Sequence, residues 1–93
     1  MKNYWWIVSI VVSAYVGGES PDGNVYPTKE KEVFKLFGIH EPKIYESFCQ
    51  EISKFLAGKK CQLDFVWCLG ENGTEEPTLA GTLSAFLKEK LSL

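Results

Sequence analysis

The chain has 93 residues, a hydrophobic content of 45% and a formal net charge of −2 at pH 7. Its length predicts a single domain over residues 1–93, since a chain of this size buries only about two-thirds of the surface that its unfolded form exposes. The apolar content excludes intrinsic disorder. The acidic balance, with lysines but no arginine, excludes a generally basic surface, so no nucleic-acid partner is predicted.

The first segment is an uncharged apolar run from Tyr4 to Val16. Its thirteen residues are too few for a membrane-spanning helix, which needs about 20, so no membrane partner is predicted. A secretory signal is an alternative, because Lys2 precedes the run and Gly17 follows it. The β-branched content of the run and its alternation from Tyr4 onward favour a β-strand instead.

The next part of the chain is predicted to turn and then to form a short helix. Gly17 to Asn24 is rich in turn-forming residues, and Val25 with Tyr26 is left open as a short return strand. A helix is predicted from Thr28 to Phe37, because its apolar residues recur at intervals of three and four. Gly38 is expected to end it.

Two longer helices are predicted further along the chain. The first begins at Pro42 and ends at Gly58, with one apolar and one polar side. The second begins near Pro77 and continues through Leu91. Gly81 lies inside it and costs roughly 1 kcal/mol relative to alanine. We therefore expect close packing of another element against Gly81.

Between these helices, an alternating segment predicts the second strand. Its core-facing side is expected to carry Cys61, Leu63, Phe65, Trp67 and Leu69. The predicted order is thus strand, helix, helix, strand, helix, with the two strands parallel through a right-handed crossover. This order predicts a small α/β or α+β fold, a two-layer sandwich with the helices on one face of a small sheet.

The cysteines indicate a reducing compartment. Cys49, Cys61 and Cys68 are odd in number and match no zinc-binding spacing. Cys61 and Cys68 on one strand are expected on opposite faces, too far apart to form a disulfide. Reduced thiols of this kind are typical of a cytoplasmic protein, which is the location that we predict.

Acidic residues follow both predicted strands. If the strands are parallel, Glu19, Asp22, Glu71 and Glu75 gather at the carboxyl edge of the sheet, where ligands often bind. One hypothesis is a site for Mg²⁺ or Ca²⁺. The alternative is that these residues only form turns and a helix N-terminus, and no metal site is assigned. Neither loop has a phosphate-binding or dinucleotide-binding spacing, so no cofactor is predicted.

A catalytic pair of a cysteine and a histidine is not predicted. His40 is the only histidine, and Cys49 follows nine residues later. Cys49 falls on the apolar side of the predicted helix, where burial raises a thiol pKa and makes the thiol unreactive. No catalytic residue is therefore assigned.

The aromatic residues of the first strand are the predicted interface. Adjacent tryptophans on a strand point to opposite faces, so one of them must be covered by something other than the core. Aromatic residues in such positions are enriched at protein interfaces. A homodimer is predicted, in which the first strand pairs with a second copy or packs against it face to face. The predicted interface residues are Tyr4, Trp5, Trp6, Ile7, Val11 and Tyr15.

These features favour a function without catalysis. We expect a small acidic intracellular protein that acts through protein–protein interaction, as an inhibitor, an adaptor or an immunity-type protein. The partner is not specified by any motif. The alternative is a small metal-dependent enzyme that uses the acidic loops.

Overall fold

The computed structural model describes residues 1–15 and 30–93. This part of the chain is an α+β structure with one three-stranded sheet and two helices. Within it, no helix is long and apolar enough to cross a membrane. The elements in order are β1 (Asn3–Tyr15), β2 (Lys31–Ile39), α1 (Pro42–Leu56), β3 (Lys59–Gly70) and α2 (Pro77–Leu91).

The sheet has the strand order β2-β1-β3, and β1 is antiparallel to both neighbours. The predicted order of strand, helix, helix, strand, helix is therefore wrong, and so is the predicted parallel crossover. The observed order is strand, strand, helix, strand, helix. From Tyr4 to Val11, β1 is paired on both sides, so strand pairing with a second copy is blocked along this stretch.

The main error of the sequence prediction lies at β2, where a helix over Thr28 to Phe37 was expected. The structure has a strand from Lys31 to Ile39 instead. Phe34 and Leu36 pack against the core, whereas Val33 and Phe37 lie on the opposite side of the sheet. Because both faces of β2 carry apolar residues, the alternation typical of a strand is lost and helical spacings appear.

Part of the predicted first half lies outside the described residues. This applies to the turn over Gly17 to Asn24, to the return strand at Val25 and Tyr26, and to Thr28, where the predicted helix begins. The predicted first strand is confirmed, since β1 occupies Asn3–Tyr15.

The core lies between one face of the sheet and both helices. Alternation along β1 directs its even-numbered side chains to this face. Trp6 is fully buried there, and its indole Nε1 donates a hydrogen bond to the Gly38 carbonyl at 3.1 Å. The cluster consists of Trp6, Val8, Ile10, Ile44, Phe48, Ile52, Cys68, Leu83 and Leu87.

Both long helices are confirmed, and each begins at the predicted proline. α1 starts at Pro42 and ends at Leu56, two residues before Gly58, whose φ of 69° is a left-handed conformation that favours glycine. α2 starts at Pro77 and contains Gly81. Apart from its chain neighbours and the backbone of its own helix, a Cβ atom added at Gly81 would have no described atom within 4 Å. The expected close packing at Gly81 is therefore wrong.

A β-bulge in β3 changes which side chains face the core. Ser9 pairs with Phe65, but the next residue of β1, Ile10, pairs with Leu63, which leaves Asp64 as an extra residue. The phase of the alternation reverses there. Leu63 packs against the core, whereas Phe65 lies on the other side of the sheet.

The bulge overturns the predicted core-facing side of the second strand. Cys61 and Leu63 do face the core, but Trp67 and Leu69 accompany Phe65 on the opposite side. The bulge also brings Cys61 and Cys68 to the same face, contrary to the prediction. All three cysteines are free thiols.

Candidate functional site

The candidate site is the face of the sheet turned away from both helices, hereafter the open face. Odd-numbered residues of β1 and their paired neighbours on β2 and β3 point to this side. None of the described elements covers it. From Asn3 to Val11, its residues are Asn3, Trp5, Ile7, Ser9, Val11, Lys31, Val33, Lys35, Phe37, Ile39, Gln62, Asp64, Phe65, Trp67 and Leu69.

Large apolar side chains on the open face remain half exposed. Trp5, Phe37 and Trp67 are 46%, 50% and 49% exposed. The Trp5 and Phe37 rings have centroids 4.7 Å apart, and the Phe65 and Trp67 rings have centroids 4.8 Å apart. These two aromatic pairs lie on either side of Ile7. Contiguous apolar surface of this kind marks interaction sites in proteins.

One end of the open face carries a polar network that crosses all three strands. The fully buried Ser9 donates its hydroxyl to Asp64 Oδ2 at 3.0 Å, and Lys31 Nζ lies 2.7 Å from the same oxygen. The bulge places Asp64 on this side of β3, so its carboxylate reaches across β1 to β2. The Lys31 ammonium group and the Ser9 hydroxyl hold the pKa of Asp64 below its usual range.

A second lysine occupies the middle of the open face. Lys35 is directly opposite Ile7 on β1, which in turn is opposite Trp67 on β3. Lys35 is exposed and makes no ion pair with any described residue. The centre of the face thus combines an aliphatic side chain, an indole ring and an unpaired ammonium group.

The predicted interface residues are divided between the two faces of the sheet. Trp5, Ile7 and Val11 lie on the open face. Tyr4 packs against the core, and Trp6 belongs to it. The side chain of Tyr15 lies outside the described residues. The structure does not test the interface itself, so Trp5, Ile7, Val11 and Tyr15 stay predicted interface residues.

The hypothesis of a metal site at four carboxylates depended on parallel strands, and this premise is wrong. β3 ends at Gly70 beside Tyr4, whereas β1 ends at Tyr15 beside Lys59, at the opposite end of the sheet. Glu71 accepts a hydrogen bond from Asn3 Nδ2 at 3.3 Å. Backbone pairing joins Glu75 to Leu69.

Glu19 and Asp22 lie outside the described residues, so the complete set of four stays untested. Glu71 and Glu76 line a shallow groove of about 410 Å³ that also contains Lys2. Among residues 1–15 and 30–93, no three side chains of His, Cys, Asp or Glu are grouped in a way that could hold a metal ion.

The possible nucleophilic pair consists of His40 and Cys49. The His40 Nε2 atom lies 2.9 Å from the hydroxyl of Tyr45, and the His40 ring packs on Trp6. Burial raises the pKa of Cys49. Burial, reinforced by the carboxylate of Glu76, raises the pKa of Cys68 to about 11. Thiols with raised pKa values are poor nucleophiles at neutral pH.

A second shallow groove lies between β3 and α2. It has a volume of about 390 Å³ and includes Trp67, Cys68 and Gly81. The Glu76 backbone N–H donates to the Cys68 carbonyl at 2.7 Å, which closes part of the outer edge of β3. The groove adjoins the open face at Trp67.

Several open-face residues were missed by the sequence prediction. The sequence predicts a helix at Val33 and Phe37, and it predicts that Phe65 and Trp67 face the core. A usable signal was the unbroken apolar run from Phe65 to Leu69. In an antiparallel sheet with helices on one side, such a run means that both faces of the strand are apolar.

No protein-family model, curated protein or solved structure matches the chain.

Proposed function

We propose that this protein is a small acidic binding protein that acts through protein–protein interaction, and that the open face is its binding surface. The observation that carries the proposal is the half-exposed set of Trp5, Phe37 and Trp67 on a sheet face that no described element covers. Each ring exposes apolar area whose burial against a partner is favourable.

The composition of the open face fits a protein partner. Aromatic residues are enriched in the cores of protein interfaces, and charged residues are depleted there. On the open face, the aromatic pairs surround Ile7, while the ionic contact between Lys31 and Asp64 lies towards one end. The face is therefore largely apolar, with one ammonium group, that of Lys35, at its centre and an ion pair towards one end.

The proposal places the protein among inhibitors, adaptors or immunity-type proteins, which work by occupying a partner without chemistry. A cytoplasmic location is part of the proposal and rests on the three free thiols. No observation on the described residues favours the alternative of a metal-dependent enzyme.

The proposal can be tested by photo-crosslinking in the native host. A photoreactive amino acid replaces Phe37 in one variant, and it replaces Gln50, on the exposed side of α1, in the control. We expect a crosslinked protein product from the Phe37 position and none from the Gln50 position. Mass spectrometry then identifies the crosslinked chain.

Two outcomes would contradict the proposal. One is the absence of any crosslinked protein at Phe37 in cells that express the chain at its natural level. The other is an equal yield at Phe37 and Gln50, which would mean that the open face has no preference over an ordinary polar helix surface. The circular dichroism spectra of both variants establish that they are folded.

A further inference from the structure

We propose that the protein bound by the open face is a second copy of this chain, packed sheet to sheet about a twofold axis that runs close to β1. This inference rests on the proposed function, because it names the partner of the same surface. It does not involve the edges of β1, which β2 and β3 occupy from Tyr4 to Val11.

The size of the open face suits a dimer. Its three exposed rings leave on the order of 300 Å² accessible, given that an aromatic side chain presents about 150–250 Å². The stretch from Asn3 to Val11 is about 30 Å long, and three strands are about 14 Å wide. The face thus covers roughly 400 Å² in projection, about half of the 800 Å² that each partner buries in a standard interface, which is the size of a weak, transient interface.

The pairing registers make the open face complementary to itself. A twofold axis along β1 places β2 of one copy over β3 of the other. A β2 residue of one copy then lies opposite the β3 residue of the other copy that pairs with the same β1 position. Ile7 is shared by Lys35 and Trp67, so the Lys35 side chain of one copy faces the Trp67 ring of the second copy.

The neighbouring positions match in the same way. Ser9 is shared by Val33 and Phe65, which gives an aliphatic contact with a ring. Packed sheets cross at about 30°, so contacts between the two copies shift more with increasing distance from the point where their β1 strands cross. Ile7 is the middle residue of the stretch from Asn3 to Val11, so the contact between Lys35 and Trp67 is the one best preserved.

The charges support this arrangement. Lys35 has no described ion-pair partner, and an ammonium group over an indole ring gains a cation–π interaction. Symmetry supplies two such contacts in each dimer. The other lysine of the β2 stretch, Lys31, is neutralised by Asp64 within its own copy, so it brings no unpaired charge into the interface.

The central test is sedimentation equilibrium of the full chain across the micromolar range. We expect wild-type protein to reach twice the 10.5 kDa of one chain. Lys35→Glu should raise the dissociation constant of the dimer at least tenfold, because it removes the cation and places a carboxylate against the indole ring of the second copy. Lys35→Arg should retain the dimer. The matched control is Lys43→Glu on exposed α1, which makes the same charge change and should leave the dimer unchanged.

A second measurement tests the geometry. Ile7 lies on the proposed axis, so Ile7→Cys places two thiols opposite each other across sheets about 10 Å apart. A bismaleimide of similar span should convert Ile7→Cys to a covalent dimer far faster than Ser53→Cys on exposed α1. Wild-type protein, with its three native thiols, sets the background.

The results separate this inference from the proposed function. A monomeric wild-type chain across the micromolar range, or a Lys35→Glu dimer as tight as wild type, overturns the inference. If the Phe37 photo-crosslinker then captures a different protein in the host, the proposed function survives without the dimer. If there is neither a dimer nor a crosslink, both proposals fail.

Discussion

Ser9 and Asp64 are joined across the open face, where the fully buried Ser9 hydroxyl donates to Asp64 Oδ2 at 3.0 Å. This contact exists because the bulge in β3 gives Asp64 no partner on β1 and leaves its side chain on the same side as Phe65. The carboxylate also receives the Lys31 ammonium group at 2.7 Å. One irregularity in the register therefore links all three strands.

The first prediction concerns the acid stability of this network. The pKa of Asp64 is lowered in the folded protein, so its contribution to stability is present above its unfolded pKa of about 3.9. That contribution is lost as the pH falls through the folded pKa. Asp64→Asn should lower the free energy of unfolding at pH 7 and flatten its decline below about pH 4.

Urea unfolding at a series of pH values measures both effects. Glu51→Gln is the control, because the ion pair of Glu51 with Lys54 is long, at 3.4 Å, and lies on the exposed surface of α1. Such pairs contribute little to stability. An Asp64→Asn protein with the same acid dependence as wild type would contradict the role given to the network.

The second prediction compares the two adjacent tryptophans. Trp6→Ala removes a fully buried side chain and should reduce the free energy of unfolding by about 3–5 kcal/mol. Trp5→Ala truncates a side chain that is 46% exposed and should reduce it by about 1 kcal/mol. Urea unfolding at low protein concentration limits any contribution from a dimer.

Trp6→Phe gives a second test if Trp6→Ala does not fold. It keeps an apolar ring but removes the Nε1 donor of the Gly38 carbonyl, and a lost hydrogen bond of this kind costs about 1 kcal/mol. Equal losses for the alanine variants at positions 5 and 6 would show that the assignment of Trp6 to the core is incorrect.

The same two tryptophans show how far sequence reasoning goes. Alternation requires that neighbouring strand residues point to opposite faces, so the sequence predicts that one tryptophan is buried and the other is not. It cannot tell which, since both are apolar. Trp6 is the buried one, because helices α1 and α2 pack on the even-numbered side of β1.

The long helices and β1 were predicted because each has a strong pattern along its own length. β2 was missed for a physical reason that also creates the candidate site. Val33 and Phe37 are apolar on the open face, so the strand has no polar side to produce alternation. Asp64 adds a second difficulty, since the bulge there reverses the alternation of side chains along β3 and no local sequence pattern indicates the bulge.

The third prediction separates a binding protein from a metal-dependent enzyme. A ligand that binds only the folded state raises the melting temperature. We expect no shift with Mg²⁺, Mn²⁺ or Ca²⁺ at millimolar concentration, because the described carboxylates are not grouped around a common point. A shift that is lost in Glu71→Gln would instead support the acidic-loop hypothesis.

The fourth prediction concerns alkaline stability. The pKa of Cys68 rises to about 11 in the folded protein, mainly through burial. The thiol of the unfolded chain ionises first, so this contribution to stability is present below the unfolded pKa and is lost as the pH rises towards 11. Urea unfolding between neutral pH and this value should show a smaller decline for Cys68→Ala than for wild type. An equal decline would contradict the assigned burial.

The last prediction concerns Gly81 in α2. A Cβ atom there meets no described atom within 4 Å beyond its chain neighbours and its own helix backbone, and glycine in a helix interior is less favourable than alanine by about 1 kcal/mol. Gly81→Ala should therefore raise the free energy of unfolding by about this amount. The control is Gly58→Ala, which also has no described atom within 4 Å of the added Cβ but forces alanine to a φ of 69°.

The two substitutions add the same methyl group and should have opposite signs. Gly58→Ala should lower the free energy of unfolding, because a residue with a side chain is strained at positive φ. Urea unfolding of both variants decides the matter. Gly81 lines the groove beside Trp67, so a Gly81→Ala protein that is less stable than wild type would mean that another part of the protein, or a second copy, fills that groove.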